Sequence, residues 1–324
     1  MKGFDPKFET FPDYIIGITK EIWEDRGIGT LNHYYASDIP VRTPMGIQRG
    51  NQAVIAATMA TVNEFPDRKL YADDVIWSDD PEFGLLSSHR LISTATHARD
   101  GLFGKASGKK WAIRAIADCA AKDNIIYDEW LVRDYGGIVR QLGHVPQEFA
   151  ARLIDAEGGS EKASPVYLPE NDVDGGYNST GNSNAWGQTY ADLLTRIMDH
   201  DFNAVLKEYD RAVNGEYAGA LHTIGRDQSL EFWIGLRSSF PSAEFKIHHQ
   251  IGMDADMLSP RASIRWSLDG AHDGWGSFGQ PTGNRVHVFG MCHAEFGPWG
   301  LRRECALYDE IAVWKQILVQ SGAT

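Results

Sequence analysis

Two aspartates, Asp134 and Asp309, each end a stretch of strand-like sequence and are the first candidates for proton chemistry. In "DEWLVRDY" (128–135), alternation places Trp130, Val132 and Asp134 on one face and Glu129, Leu131 and Arg133 on the other. The first set is the more apolar, so it predicts the inward face and aims Asp134 into an apolar cavity. Cys305, Leu307 and Asp309 take the same face in the later stretch. A carboxylate deprived of water has a raised pKa, which suits a general acid or base near neutral pH. The alternative is an aspartate fixed by backbone hydrogen bonds at a strand end.

Two histidines open glycine-rich runs: His97 in "THARDGLFGKASG" (96–108) and His272 in "AHDGWGSFGQPTG" (271–283). The glycines read as turn formers that supply positive φ. A turn does not require imidazole, so each histidine is a candidate to share a proton or donate to an enolate oxygen. A histidine satisfied within the fold is the equal alternative. By parity His89 shares a face with His97, and Trp266 with His272. Among ten tryptophans, Trp77 and Trp130 are the predicted pocket walls.

The elements that position these residues recur. The two glycine runs align at an offset of 175 residues, and the offset extends far beyond them. Leu31 and Tyr34 meet Leu206 and Tyr209, Gly50 meets Gly225, and Phe65-Pro66 meets Phe240-Pro241. Arg90 meets Arg265, Glu129 meets Glu304, and Asp134 meets Asp309. No gap is needed from 31 to 142. The reading is a tandem duplication: a first domain over 1–155, a Gly/Ser/Asn-rich linker over 156–185, and a second domain over 186–324. Each half runs helices first and then strands, which predicts an α+β layer with helices on one face of a curved antiparallel sheet. Such a sheet leaves a pocket under the helices.

Composition narrows the function. Lys and Arg total 31 against 44 Asp and Glu, a net charge of −13, and no basic run offers a phosphate-binding face. No nucleic-acid or membrane partner is expected, and a small-molecule substrate is. Three cysteines without metal spacing predict no disulfide framework. No zinc, calcium or nucleotide motif is present, so neither metal nor cofactor is expected. The amino terminus has no apolar signal region, and the expectation is a cytoplasmic protein.

"RASIRWSLD" (261–269) with "GAHDGWGSFGQPTGNRV" (270–286), and "DEWLVRDYGGIVRQLG" (128–143), resemble the signatures of the SnoaL-like polyketide cyclases, or ester cyclases. "IWEDRGIGTLNHYYASDIPVRTPMGIQRG" (22–50) is similar to the family's opening segment. The first half departs by Ala-Ser-Gly in place of Pro-Thr-Gly. The second half has Cys305 in place of the family's tryptophan and lacks Gln-Leu-Gly. The resemblance implies two nuclear transport factor 2-like cones, packed together as two subunits of a family dimer would be, with a homo-oligomer also possible. It implies a cofactor-independent cyclase, isomerase, lyase or hydrolase acting on an organic carbonyl, ester or epoxide. Asp134, His97, Asp309 and His272 would be catalytic. Trp77, His89, Trp130, Tyr34, Arg90, Glu129, Trp266 and Glu304 would bind substrate. A cone that holds a ligand without turnover is the alternative.

Overall fold

The computed structural model describes residues 1–322. Its first half comprises α1 (Phe11–Thr19), α2 (Leu31–Tyr34), β1 (Pro40–Thr43), β2 (Gly46–Arg49), α3 (Asn51–Glu64), β3 (Lys69–Asp80), β4 (Gly84–Thr96), β5 (Lys110–Lys122), β6 (Ile125–Arg133), α4 (Tyr135–Gln141) and α5 (Pro146–Ala156). The second half repeats the order: α6 (Ala185–Met198), α7 (Asn203–Glu208), β7 (Tyr209–Tyr217), β8 (Leu221–Ile224), α8 (Arg226–Ser239), β9 (Glu244–Met253), β10 (Arg261–Ala271), β11 (Arg285–Gly297), β12 (Gly300–Tyr308) and α9 (Glu310–Ser321). Each half forms a six-stranded sheet, ordered β2-β1-β6-β5-β4-β3 and β8-β7-β12-β11-β10-β9. Identical order in both sheets is the tandem α+β architecture that the repeat predicts.

Local chemistry sets the element ends. Gly50 and Gly225 precede α3 and α8 with φ of 81° and 94°, values that L side chains resist. Both helices stop before Phe-Pro, because the residue preceding proline avoids helical backbone. Helices α1 and α3 cover the concave face of the first sheet, where Phe11, Ile15, Ile18 and Val54 share a core with Val41, Val75, Ala117 and Leu131. Helices α6 and α8 do the same in the second half.

The outer faces of the two sheets pack on each other. Ile76, Leu86, Ile116, Trp130 and Val132 meet Ile251, Phe289, Met291, Cys305 and Leu307 in one buried cluster. Ser263 Oγ donates to Ser88 Oγ at 2.7 Å. These two serines occupy equivalent places in the halves, so their contact marks a pseudo-twofold axis. Around it Arg265 lies 3.7 Å from the Trp130 ring and 3.4 Å from Asp118.

This packing corrects the assignment of faces. Both faces of β6 are buried, one under helices and the other under the second sheet. The more apolar row, Trp130 and Val132, points to the sheet–sheet contact. Glu129, Leu131 and Arg133 point into the cone. Hydrophobicity marks an inward face only when the opposite face meets water.

The repeat also carries one insertion. The β1–β2 turn holds Pro44 and Met45, whereas the β7–β8 turn holds Ala218, Gly219 and Ala220. The offset is therefore 174 before the turn and 175 after it. Tyr35 and Tyr209 share a place, since they pair with Ile126 and Leu301 of equivalent strands. Tyr34 does not match Tyr209, the partner that an ungapped offset gives it. The segment joining the halves lies across both sheets. Tyr177 enters the sheet–sheet cluster, where its hydroxyl meets His249 Nε2 at 2.9 Å. Asp172 pairs with Arg42.

Candidate active site

The first cone holds a cavity with an open mouth. Its floor is the concave face of β4, β5 and β6. Ala115, Ala117 and Cys119 of β5 are small there, which leaves room above the sheet. His89 on β4 and Glu129 on β6 flank that row: Ala117 pairs with His89, and Cys119 pairs with Glu129. Thr19, Trp23, Thr58 and Tyr35 close the cavity from the helical side. The Trp23 indole donates to Thr58 Oγ1 at 3.3 Å. Arg68 and Arg133 stand toward the mouth, which continues into a neighbouring cavity lined by Glu64, Phe65 and Phe103.

Glu129 and His89 are buried without full satisfaction. Glu129 Oε2 and His89 Nε2 find no hydrogen-bond partner among the described residues. Burial pushes the Glu129 carboxyl up to about 7, against the opposing pull of the Tyr35 hydroxyl and the Arg133 cation. Burial pushes His89 down to about 4, so its imidazole is neutral at neutral pH. A buried polar atom without a partner costs roughly 1–3 kcal/mol, and such groups concentrate where a ligand supplies the missing contact.

The aspartates do other work. Asp134 is the N-cap of α4, and its carboxylate accepts from Gly137 N–H at 2.9 Å. It also accepts from Gly219 and Ala220 N–H of the second half's longer turn, at 2.8 and 2.6 Å. Asp134 thus ties the halves together from outside the cavity, contrary to its expected direction. Burial raises it to about 6 despite these three donors. Asp309 caps α9 through Ile311 N–H at 2.9 Å, and burial raises it to about 8.

The paired histidines anchor the glycine loops. His97 exchanges backbone hydrogen bonds with Lys109 and Gly108, and its Nδ1 lies 3.1 Å from Ser107 Oγ. His272 does the same with Asn284 and Gly283, and its Nδ1 lies 3.2 Å from Thr282 Oγ1. His97 Nε2 also faces Glu64 Oε1 at 3.3 Å. Glu64 in turn accepts from Leu102 and Phe103 N–H. Neither histidine lines the first cone's cavity.

The expected binding residues divide. His89 and Glu129 meet in the first cone. Trp130 and Arg90 lie in the sheet–sheet layer, with Arg90 paired to Asp73 at 2.9 Å. Trp77 packs edge-on against Phe11. Tyr34 turns outward to Lys7 and Glu21. Trp266 and Glu304 belong to the second cone, which is filled. There Trp233 and Trp266 replace Thr58 and Leu91, and Trp266 lies over Gly290, where a Cβ would stand 2.2 Å from its ring. Glu304 accepts from Tyr190, Tyr209 and Tyr217 hydroxyls at 2.7–2.8 Å and faces Trp233 Nε1 at 3.2 Å.

Tyr35, Thr58, Arg68 and Arg133 line the site without standing among the expected residues. Arg133 carried a signal: it shares a face with Glu129, two residues beyond Leu131.

No family model matches the sequence, and no curated protein does. The chain is similar in structure to IdmH from Streptomyces antibioticus, at 20% identity over 41% of this chain and 97% of that one, with a TM-score of 0.37. It is similar to TsrD from Streptomyces laurentii, at 19% identity over 41% and 92%, with a TM-score of 0.35. It is similar to a SnoaL-like polyketide cyclase from Agrobacterium tumefaciens strain C58, at 17% identity over 41% and 98%, with a TM-score of 0.32. Each match spans nearly all of the solved chain and about two-fifths of this one. Among the described residues no helix is long and apolar enough to cross a membrane.

Proposed function

We propose that the first cone is an enzyme active site for proton transfer at carbon next to a carbonyl, and that the second cone is its structural partner. Of the expected reactions, cyclisation, isomerisation and dehydration of an organic carbonyl compound proceed through such a transfer. The residues differ from the expected set: Glu129 takes the place given to Asp134, and His89 that given to His97. The observation that carries this reading is a carboxylate pushed up to about 7 in a cavity, with one oxygen unpartnered and a neutral imidazole on the same concave face.

The chemistry follows from those two groups. Ionised Glu129 takes a proton from the carbon α to the carbonyl. The electron pair left behind moves onto the carbonyl oxygen. A neutral imidazole can donate one N–H to that enolate oxygen. Protonated Glu129 then returns the proton to the carbon or to a leaving group, which restores the starting state. A pKa near the working pH suits both halves of this cycle. A binding protein without turnover would leave its carboxylate tied to backbone, as Asp134 is.

Deuterium exchange tests the reading across a range of carbonyl compounds. A panel of ketones, lactones and keto esters is incubated with the protein in D2O, and α-proton loss is followed by NMR. The parent is expected to exchange at least one compound, and Glu129→Gln to lose roughly 10²–10⁴-fold of that rate. Exchange that survives Glu129→Gln in a folded protein would refute the assignment.

A further inference from the structure

We infer that the first cone takes an organic anion, an apolar body bearing one acidic group, with the acid held at the cavity mouth by Arg68 and Arg133. The inference rests on the reading of Glu129 and His89 as the reacting end of the same cavity. Both arginines line the cavity and its outward continuation. Neither meets a carboxylate within ion-pair distance among the described residues; Arg68 donates Nε only to Ser93 Oγ, at 3.1 Å. Other basic residues nearby are matched: Arg26 donates to the Trp23, Pro66 and Arg68 carbonyls, and three more meet carboxylates. Lys69 pairs with Glu24, Arg90 with Asp73, and Arg114 with Asp73 and Glu216. The chain has 44 acidic residues against 31 basic ones, so carboxylates are plentiful. Two guanidinium groups left unmatched at the edge of an apolar cavity form a receptor for a charge that arrives from outside. Their mutual repulsion adds to the burial that lowers Arg68 to about 10.

The spacing limits the ligand further. Glu129 and Arg133 lie four residues apart on one face of β6 or at its end, so their Cα atoms are roughly 13 Å apart at about 3.4 Å per residue. Reacting carbon and acidic group must then be separated by several bonds. Leu70, Leu91 and Leu131 line the space between, which asks for an apolar middle. Small α-keto acids, with acid and carbonyl adjacent, do not meet this geometry.

Matched pairs of acid and methyl ester test the inference: 6-oxo-6-phenylhexanoate, 7-oxo-7-phenylheptanoate and their esters, with 5-oxo-5-phenylpentyl phosphate as a second anion. Binding is measured by calorimetry on the parent, Arg68→Met, Arg133→Met and Arg133→Lys, each checked for folding by circular dichroism. At least one anion is expected to bind tenfold or more above its uncharged partner. The preference should fall about tenfold in either Met variant and return in part in Arg133→Lys. The phosphate arm separates carboxylate from phosphate recognition. Equal binding of acid and ester, a preference untouched in both Met variants, or no binding by any anion would each overturn the inference. Anion preference without deuterium exchange would leave this inference standing and sink the enzyme reading. Exchange of uncharged compounds without anion preference would do the reverse.

Discussion

The two cones share a strand order, a glycine loop with its histidine, and a glutamate at the same place in the final strand. They differ in what surrounds that glutamate. Glu304 accepts from three tyrosine hydroxyls, with a tryptophan N–H beside it, inside a space filled by Trp233 and Trp266. Glu129 keeps an unpartnered oxygen above a row of small residues. At positions fixed by strand register and helix ends, Thr58, His89 and Leu91 of the first half become Trp233, Ile264 and Trp266 of the second. One duplicated carboxylate has been satisfied and buried for stability. The other is buried with one oxygen facing a cavity unpartnered, at a cost in stability. On the proposed reading, the division trades stability for activity within a single fold.

Substitutions at equivalent places in the two cones should have unlike effects. Glu129→Gln is expected to abolish proton exchange by 10²–10⁴-fold, whereas Glu304→Gln leaves exchange intact. Glu304→Gln instead lowers the melting temperature, because its amide turns an N–H toward donors that need an acceptor, at about 1–3 kcal/mol. Trp233→Thr empties the second cone and is expected to cost roughly 3–5 kcal/mol in denaturant unfolding.

The pH dependence of stability sharpens the contrast. Burial raises Glu129 from 4.5 to about 7, so the folded state binds this proton more tightly than the unfolded state. Stability is therefore lost as pH rises from about 4.5 to 7, by about 3 kcal/mol at about 1.4 kcal/mol per pH unit. Neutral Glu129→Gln escapes this loss. It is expected to match the parent near pH 4.5 and to exceed it above pH 7. The parent's kcat/KM should rise with pH through about 7 as the base ionises. His89 works oppositely: burial lowers it from 6.5 to about 4, so its contribution is lost as pH falls through that interval.

The capping aspartates give a smaller contrast. Asp134→Asn replaces an acceptor oxygen by a donor among Gly137, Gly219 and Ala220 N–H groups, and should cost about 1–3 kcal/mol with little effect on exchange. Asp309→Asn keeps an N-cap acceptor and removes a buried charge near Asp134 and Glu310. It should leave stability unchanged or slightly raised at pH 8. Melting curves of the two variants at that pH check both signs.

Much of this was legible in the sequence. The offset between the glycine loops gave the duplication, and the order of helix and strand segments gave the α+β cones. His89 and Glu129 stood among the expected binding residues. The roles went astray for a physical reason at β6. With two sheets packed back to back, the outer face carries Trp130 and Val132, and polarity alternation points the wrong way. Asp134 and His97 recur for reasons of local geometry, as a cap and a loop anchor. Position-specific recurrence cannot separate an anchor from a working group. The one-residue insertion that brings Gly219 and Ala220 to Asp134 was hidden because glycines and aromatics on both sides still matched.

The central claim, one working cone and one filled cone, is tested most directly by binding stoichiometry in a reciprocal pair. Calorimetric titration of an exchanging compound into the parent, Thr58→Trp and Trp233→Thr should give one site per chain, none, and one. Two sites in the parent, or a site that persists undiminished in a folded Thr58→Trp protein, would contradict the account.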